Sequence, residues 1–241
     1  DAFNLFVFFE ILLIASYGLM TFGGGTRRLQ AGTQYVIYNL LGSTLFLFAL
    51  GTLYNVTGTL NLLDAMRAAG VNKLVFSSTA AVFGNPLTEK LAEDHPLAPI
   101  NPYGWSKRMV EQVLADMAHA WGLNSVALRY FNASGADVSG EIGEEHDPET
   151  HLIPIALAAA AGLRGRMKIF GTDYDTPDGT CIRDYIHVSD IAAAHICGLK
   201  AFANGLTNTE VNIGTGKGVS NLEILNMVEK VTGRSVPYDD A

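Results

Sequence analysis

Two nearly unbroken apolar runs, Leu5 to Phe22 and Tyr35 to Tyr54, fill the start of the 241-residue chain, and nothing like them follows. Each has the length that crosses a bilayer, about 20 residues. The link between them is polar and glycine-rich and carries Arg27 and Arg28. The pair therefore reads as a two-helix, transmembrane-like hydrophobic hairpin, and the positive-inside rule places its loop in the cytoplasm. A signal peptide does not fit: Asp1 leads, no basic segment precedes the first run, and no small-residue cleavage site follows it. Two buried core helices are the competing reading of the same runs. Glu10 lies inside the first run. A lone carboxylate in an apolar span is costly, and where one is kept it marks an ion or proton path.

From Thr57 onward the pattern is that of an α/β protein. Leu60, Leu62, Leu63, Ala65, Met66 and Ala69 have helical spacing, and Gly70 stops them. Lys73 to Ser78 is a short apolar strand of the buried parallel type, whose C-terminal end is where such sheets take their ligands. Pro86, Pro96, Pro99 and Pro102 punctuate the loop that follows. Tyr103 to Trp121 then reads as an amphipathic helix closed by Gly122, and Ser125 to Tyr130 as the next strand. Beyond Asn132 come long loops, acidic from Gly135 to Thr150. A helix from His151 to Leu163, a strand from Met167 to Phe170, and helices from Val188 to Ala203 and Asn221 to Thr232 complete the reading.

A formal charge of -8 without a basic tract argues against nucleic acid as a partner. Cys181 and Cys197 form no CxxC or Cys/His cluster, so both are expected to be reduced and buried. The six histidines lack HExxH spacing, read as surface or structural residues, and predict no metal site.

The chemistry concentrates between Lys73 and Lys107. Ser77-Ser78-Thr79 ends the strand, and Tyr103 and Lys107 stand four residues apart, on one face of a helix. An ammonium beside a phenol favours the phenolate and pulls a pKa near ~10 toward neutrality. Tyr103 is thus a candidate general acid/base, with Thr79 its hydroxyl neighbour or, on the plainer reading, a strand-end cap.

Four segments carry a resemblance: NVTGTLNLLDAMRAAGVNKLVFSSTAAVFG from Asn55, NPYGWSKRMVE from Asn101, LRYFNASG from Leu128, and IFGTDYDTPDGTCIRDYIHVSD from Ile169. In this order they resemble the extended short-chain dehydrogenase/reductase family and, within it, the UDP-glucose 4-epimerase branch. The resemblance implies a partial Rossmann-like doubly wound sheet lacking its first half and a partial substrate lobe, divided as residues 1-54 (hairpin), 55-134 (C-terminal half of the NAD-binding domain) and 135-241 (substrate lobe). It implies NAD as cofactor, UDP-glucose and UDP-galactose as substrates, a homodimer and a cytoplasmic location, whereas the hydrophobic hairpin implies membrane association through residues 5-54. Thr79, Tyr103 and Lys107 would be catalytic. Asn55, Ser77, Ser78, Tyr130 and Phe131, with Tyr103 and Lys107, would contact NAD. Asn132, His151, Leu152, Lys168, Ile169, Phe170 and Arg183, with Thr79 and Tyr103, would hold the UDP-sugar. Arg183 reads equally as an ion-pair partner of Asp184 or Asp190. Sugar dehydratases of the same family need carboxylates after the threonine; Ala80 and Ala81 stand there instead.

Residues 1-54 resemble the antiporter-like membrane subunits of the Mrp antiporter and respiratory complex I, which implies a proton-channel role for Glu10. The nucleotide fingerprint GxGxxG is missing. Gly23-Gly24-Gly25 has no third glycine, and Gly214-Thr215-Gly216-Lys217-Gly218 follows a strand but lies in the substrate part and lacks the GK[ST] of a P-loop. A cytoplasmic Arg27-Arg28 loop would also send Asn55 onward to the side away from NAD. Together these features predict a chimera or misassembled fragment joined within NVTGTLN, with weak activity and no tightly bound NAD. A membrane ion-translocation fragment and a non-catalytic UDP-sugar-binding remnant are the two alternatives.

Overall fold

A computed structural model describes residues 51–240. Glu10 and the hairpin through residue 50 lie outside these residues; its last four positions, 51–54, fall in the described chain. Positions 51–68 are helical (α1), so the proposed join and Asn55 sit inside one continuous helix. The reversal after it is made by Gly70, whose φ of 69° is left-handed and suits a residue without Cβ.

Strand β1 (Lys73–Thr79) runs into a 3-10 turn at Ala80–Val82. Helix α2 (Pro102–Trp121) begins with strong local signals: Asn101 Oδ1 accepts from the Gly104 amide at 2.7 Å, and proline occupies the first turn. It ends at Gly122, left-handed at φ 77°. Strand β2 (Asn124–Tyr130) pairs in parallel with β1, Lys73 opposite Asn124 and Thr79 opposite Tyr130. Strand β3 (Asn132–Ser134) follows at once. Helix α3 (Leu152–Ala160), strand β4 (Met167–Ile169), strand β5 (Ile182–His187) and helix α4 (Val188–Ala201) come next. A 3-10 turn (Phe202–Asn204), β6 (Thr209–Ile213), β7 (Gly218–Ser220), α5 (Asn221–Thr232) and β8 (Tyr238–Asp240) close the described chain.

Among the described residues the strands form three small sheets, ordered β1-β2-β6, β3-β5-β7 and β4-β8. The first is wholly parallel and covered on both faces, as parallel sheets require. On one face Leu63 and Met66 of α1 and Val110 and Leu114 of α2 bury a cluster with Leu123. On the other, Val126 and Leu128 pack with Phe202 and Ala194. A separate core joins Ala156 and Ala159 of α3, Met167 and Ile169 of β4, and Leu225 and Val228 of α5. The expected division at residue 134 does not follow the sheets. Strand β6 returns from far along the chain to extend β1-β2, and α4 packs on the same sheet, because a parallel edge must be completed by a crossover.

Gly104 decides how α2 meets the strand tip. A Cβ there would lie 2.6 Å from the Ala81 carbonyl oxygen, so only glycine lets the first turn of α2 close on the turn after Thr79. Gly104→Ala should therefore lower the melting temperature, although alanine in a helix is ordinarily favoured over glycine by about 1 kcal/mol. Thermal unfolding checks this; an unchanged or raised Tm would remove the close-approach argument.

Candidate active site

The close approach at Gly104 brings Tyr103 to the end of β1, beside Thr79 and Tyr130. Thr79 is the extended cap of the 3-10 turn: its hydroxyl accepts from the Ala81 amide at 3.1 Å and lies near enough to the Tyr103 phenol to lower its pKa. The capping and catalytic readings of Thr79 are thus compatible. Lys107, one turn along α2, donates from Nζ to the Ser77 carbonyl at 3.0 Å. Its ammonium stands 5.8 Å from the Tyr103 ring centroid and 5.0 Å from that of Phe76.

The electrostatics depart from expectation. Burial pushes the Tyr103 phenol above its ordinary value, the Thr79 hydrogen bond pulls it down less strongly, and Tyr130 adds a smaller upward push. Lys107 does not depress it. Its ammonium is tied to the Ser77 carbonyl and faces the ring, while burial lowers the pKa of the amine itself. Desolvation of a half-buried phenol outweighs a cation held in this way. In a 13C NMR titration of ring-labelled protein, the tyrosine signal missing from Tyr103→Phe should titrate above ~10. A midpoint below that value would show that Lys107 dominates after all.

Ser77 and Ser78 are already engaged within the protein. Ser77 Oγ hydrogen-bonds His195 Nε2 at 2.8 Å; His195 Nδ1 faces the Ile191 carbonyl at 2.8 Å, which makes Nδ1 the ring donor and Ser77 the donor to Nε2. Ser78 is 0% exposed and donates to Glu111 Oε1 at 2.6 Å, so its side chain has no surface to offer a cofactor. Glu111 in turn receives Arg129 in a fork, Nε to Oε1 at 3.0 Å and Nη2 to Oε2 at 2.8 Å. Sequence reading missed this buried ion pair. Its available signal was a charged residue inside an otherwise apolar strand.

The remaining candidates stand elsewhere. Asn55 is an exposed position on α1. Phe131 donates its amide to the Ile213 carbonyl, and Asn132 Nδ2 donates to the Asp184 carbonyl at 2.8 Å. In β4 the residues alternate: Ile169 is 2% exposed in the core, against the expectation of a substrate contact, because a strand sends successive side chains to opposite faces. Lys168 is exposed beside it, and Phe170 just past the strand is 71% exposed. His151 caps α3 next to Leu152. Among the described residues Arg183 makes no ion pair; it donates to the Ile182 carbonyl at 3.1 Å. Asp184 is held instead by the glycine loop, accepting from the Thr215 and Gly216 amides at 3.0 and 2.8 Å. Those amides are thereby committed to a carboxylate of this chain, which agrees with rejecting the loop as a dinucleotide turn. No hydrogen bond among the described residues joins His151, Lys168, Phe170 or Arg183 to the Tyr103 cluster.

Neither cysteine is buried as expected: Cys181 is partly covered and Cys197 exposed. Glu144, His146 and His151 bring ligand atoms within 4.8 Å of one another, a grouping that spacing did not reveal; all three face solvent.

Comparison with known proteins identifies the family. The model of the NAD dependent epimerase/dehydratase family matches residues 49–214. A second model, NADH:quinone oxidoreductase/Mrp antiporter, TM, matches residues 1–87. The described part of that second match is α1, β1 and the turn after it, and no described helix is long and apolar enough to cross a membrane. The UDP-glucose 4-epimerase of Rhizobium leguminosarum bv. trifolii is 52% identical over 185 residues, covering 77% of this chain and 57% of the relative. That of Rhizobium meliloti (strain 1021) is 53% identical over 180 residues, covering 75% and 55%. The crystal structure of UDP-glucose 4-epimerase from Brucella ovis in complex with NAD superposes with a TM-score of 0.76 at 52% identity, covering 78% of this chain and 57% of that one. The chain thus spans little more than half the length of the curated relatives it matches. With well over half of its residues matched by the family model and a Rossmann-like α/β arrangement shared with the solved epimerases, the chain belongs to the NAD dependent epimerase/dehydratase family.

Proposed function

We propose that this chain carries the acid/base half of an NAD-dependent UDP-glucose 4-epimerase, interconverting UDP-glucose and UDP-galactose. The observation that carries the reading is the meeting of Thr79, Tyr103 and Lys107 at the C-terminal end of a parallel strand. The ionised Tyr103 phenol accepts the proton of the sugar 4-hydroxyl, and the Thr79 hydroxyl, beside the phenol, bridges the two oxygens. Lys107 holds its ammonium at the Tyr103 ring and, with donors beyond the one spent on Ser77, can bind ribose hydroxyls of the dinucleotide. When bound, NAD would supply the hydride acceptor and donor for C4, with Tyr103 and Lys107 holding its nicotinamide-ribose end. Tyr103 then gives the proton back to the new 4-hydroxyl.

The nicotinamide-ribose end of NAD fits Tyr103 and Lys107, while no described residue forms a glycine turn free to take pyrophosphate, so turnover should depend on added NAD. Lys168 and Arg183, both exposed and without an ion pair among the described residues, suit the UDP diphosphate. Asn132, His151, Leu152 and Phe170 would complete that site, with Ile169 contributing backbone only. Trp105 and Met109, one turn apart on α2, are 47% and 43% exposed and offer a surface for a homodimer. A cytoplasmic setting follows from where NAD and UDP-sugars are expected.

The test is a coupled assay of UDP-glucose formed from UDP-galactose with NAD supplied, beside UDP calorimetry. Turnover that rises with pH from about 7 to 9 is expected, because a raised phenol pKa leaves little phenolate near neutrality. UDP binding without turnover would favour the non-catalytic remnant, and neither binding nor turnover would overturn both readings.

A further inference from the structure

The strand tip and the catalytic helix are joined by a buried clamp that has no role in the chemistry above. Glu111 lies four residues beyond Lys107 and eight beyond Tyr103, on the turns of α2 that follow them. Its carboxylate has three donors: Arg129 Nε at 3.0 Å, Arg129 Nη2 at 2.8 Å and Ser78 Oγ at 2.6 Å. The side chains of Arg129 and Glu111 are 4% and 1% exposed. Arg129 is fixed in turn by the Glu93 carbonyl at 3.2 Å and by the face of Phe83, 5.3 Å from its centroid. Phe83 meets His95 edge-on at 5.5 Å, and His95 accepts from the Leu87 amide at 3.1 Å. Three elements therefore meet at one carboxylate: α2, which bears the phenol and the amine; β1, whose residue after Ser78 is Thr79; and β2, which bears Arg129.

We infer that Glu111 and Ser78 are positioning residues for the epimerisation, setting the sliding register of α2 against β1 and hence the approach of the Tyr103 phenol to Thr79. A bidentate Arg–carboxylate fork fixes direction as well as distance, and the Ser78 bond ties the Glu111 carboxylate of α2 to the strand carrying Thr79, beside the backbone ladder that pairs Ser78 with Arg129. Releasing the bond leaves the ion pair and the β1-β2 ladder in place and loosens α2 against the tip of β1. A small misplacement of a reacting group costs rate out of proportion to its cost in stability.

The inference rests on the proposed function, and the test separates the two. Ser78→Ala removes the link and keeps the fork. Thr232→Ala, which removes a hydroxyl bonded to the Val228 carbonyl at the exposed end of α5, is the control for loss of a hydroxyl remote from the strand tip. Ser78→Ala is expected to lower kcat by roughly tenfold with KM for UDP-galactose unchanged. The Tyr103 signal in the 13C titration should also move to higher pH, as the lowering contact from Thr79 weakens. Thr232→Ala should do neither. If Ser78→Ala lowers Tm but leaves kcat and the Tyr103 titration as they were, the clamp is structural only and the inference falls. If the parent chain shows no turnover, the proposed function fails by itself, and the titration alone then decides: a shift in Ser78→Ala upholds the clamp, and no shift removes it.

Discussion

Tyr103→Phe is expected to reduce kcat for UDP-galactose epimerisation by about 10²- to 10⁴-fold while leaving Tm and UDP binding nearly unchanged. The phenyl ring keeps its place at the start of α2, and only the hydroxyl that meets Thr79 is lost. No other group in the cluster can take over. Thr79 is a poor base, Tyr130 lies on the neighbouring strand, and the Lys107 ammonium has no lone pair to offer until it deprotonates. A Tyr103→Phe variant within tenfold of the parent would mean that the proton leaves by another route.

Arg129→Ala should be the most destabilising single change among the described polar residues, at about 3–5 kcal/mol. It strands the Glu111 carboxylate, 1% exposed, with Ser78 as its one remaining donor. For a chain of this size such a loss lowers Tm by on the order of 10 °C. The double replacement Glu111→Leu with Arg129→Met should recover most of it, because two apolar side chains of similar length avoid the uncompensated charge. Denaturant unfolding of Glu111→Leu, Arg129→Met and the double gives the coupling directly; additive losses would show that the pair is not a unit.

Elements defined by local signals were legible in the sequence. Helix α5 occupies Asn221–Thr232 as expected, because Ser220 and Glu223 form a capping box and Gly233 ends it left-handed at φ 67°. Strand β1 and helix α2 stood out for the same kind of reason: an apolar run before a hydroxyl cluster, and an Asn-Pro start with a glycine stop. The strands that escaped notice are three to six residues long and pair with distant segments. Asn132–Ser134, for example, takes its register from Tyr185–His187. A three-residue strand carries no periodicity of its own, and its partner fixes it.

The site divides in the same way. That Tyr103 and Lys107 share a helix face follows from four-residue spacing. That the phenol is raised, with Lys107 turned to the Ser77 carbonyl, follows from burial and from a partner 30 residues away, which spacing does not encode. Ser78 looked like a ligand-facing hydroxyl in Ser77-Ser78-Thr79. Strand alternation and the presence of Glu111 on the packed side of α2 made it part of the interior. Ile169 shows the same alternation, flanked by exposed Lys168 and Phe170.

The most direct measurement follows the hydrogen at C4. UDP-galactose deuterated at that carbon is turned over in ordinary water with NAD supplied, and the UDP-glucose formed is examined by mass spectrometry. If Tyr103 handles only the hydroxyl proton, the carbon-bound hydrogen travels as hydride and returns to the same carbon, so the product keeps its deuterium in full. Replacement of that deuterium by solvent hydrogen would contradict the account, because the carbon would then have exchanged its hydrogen as a proton.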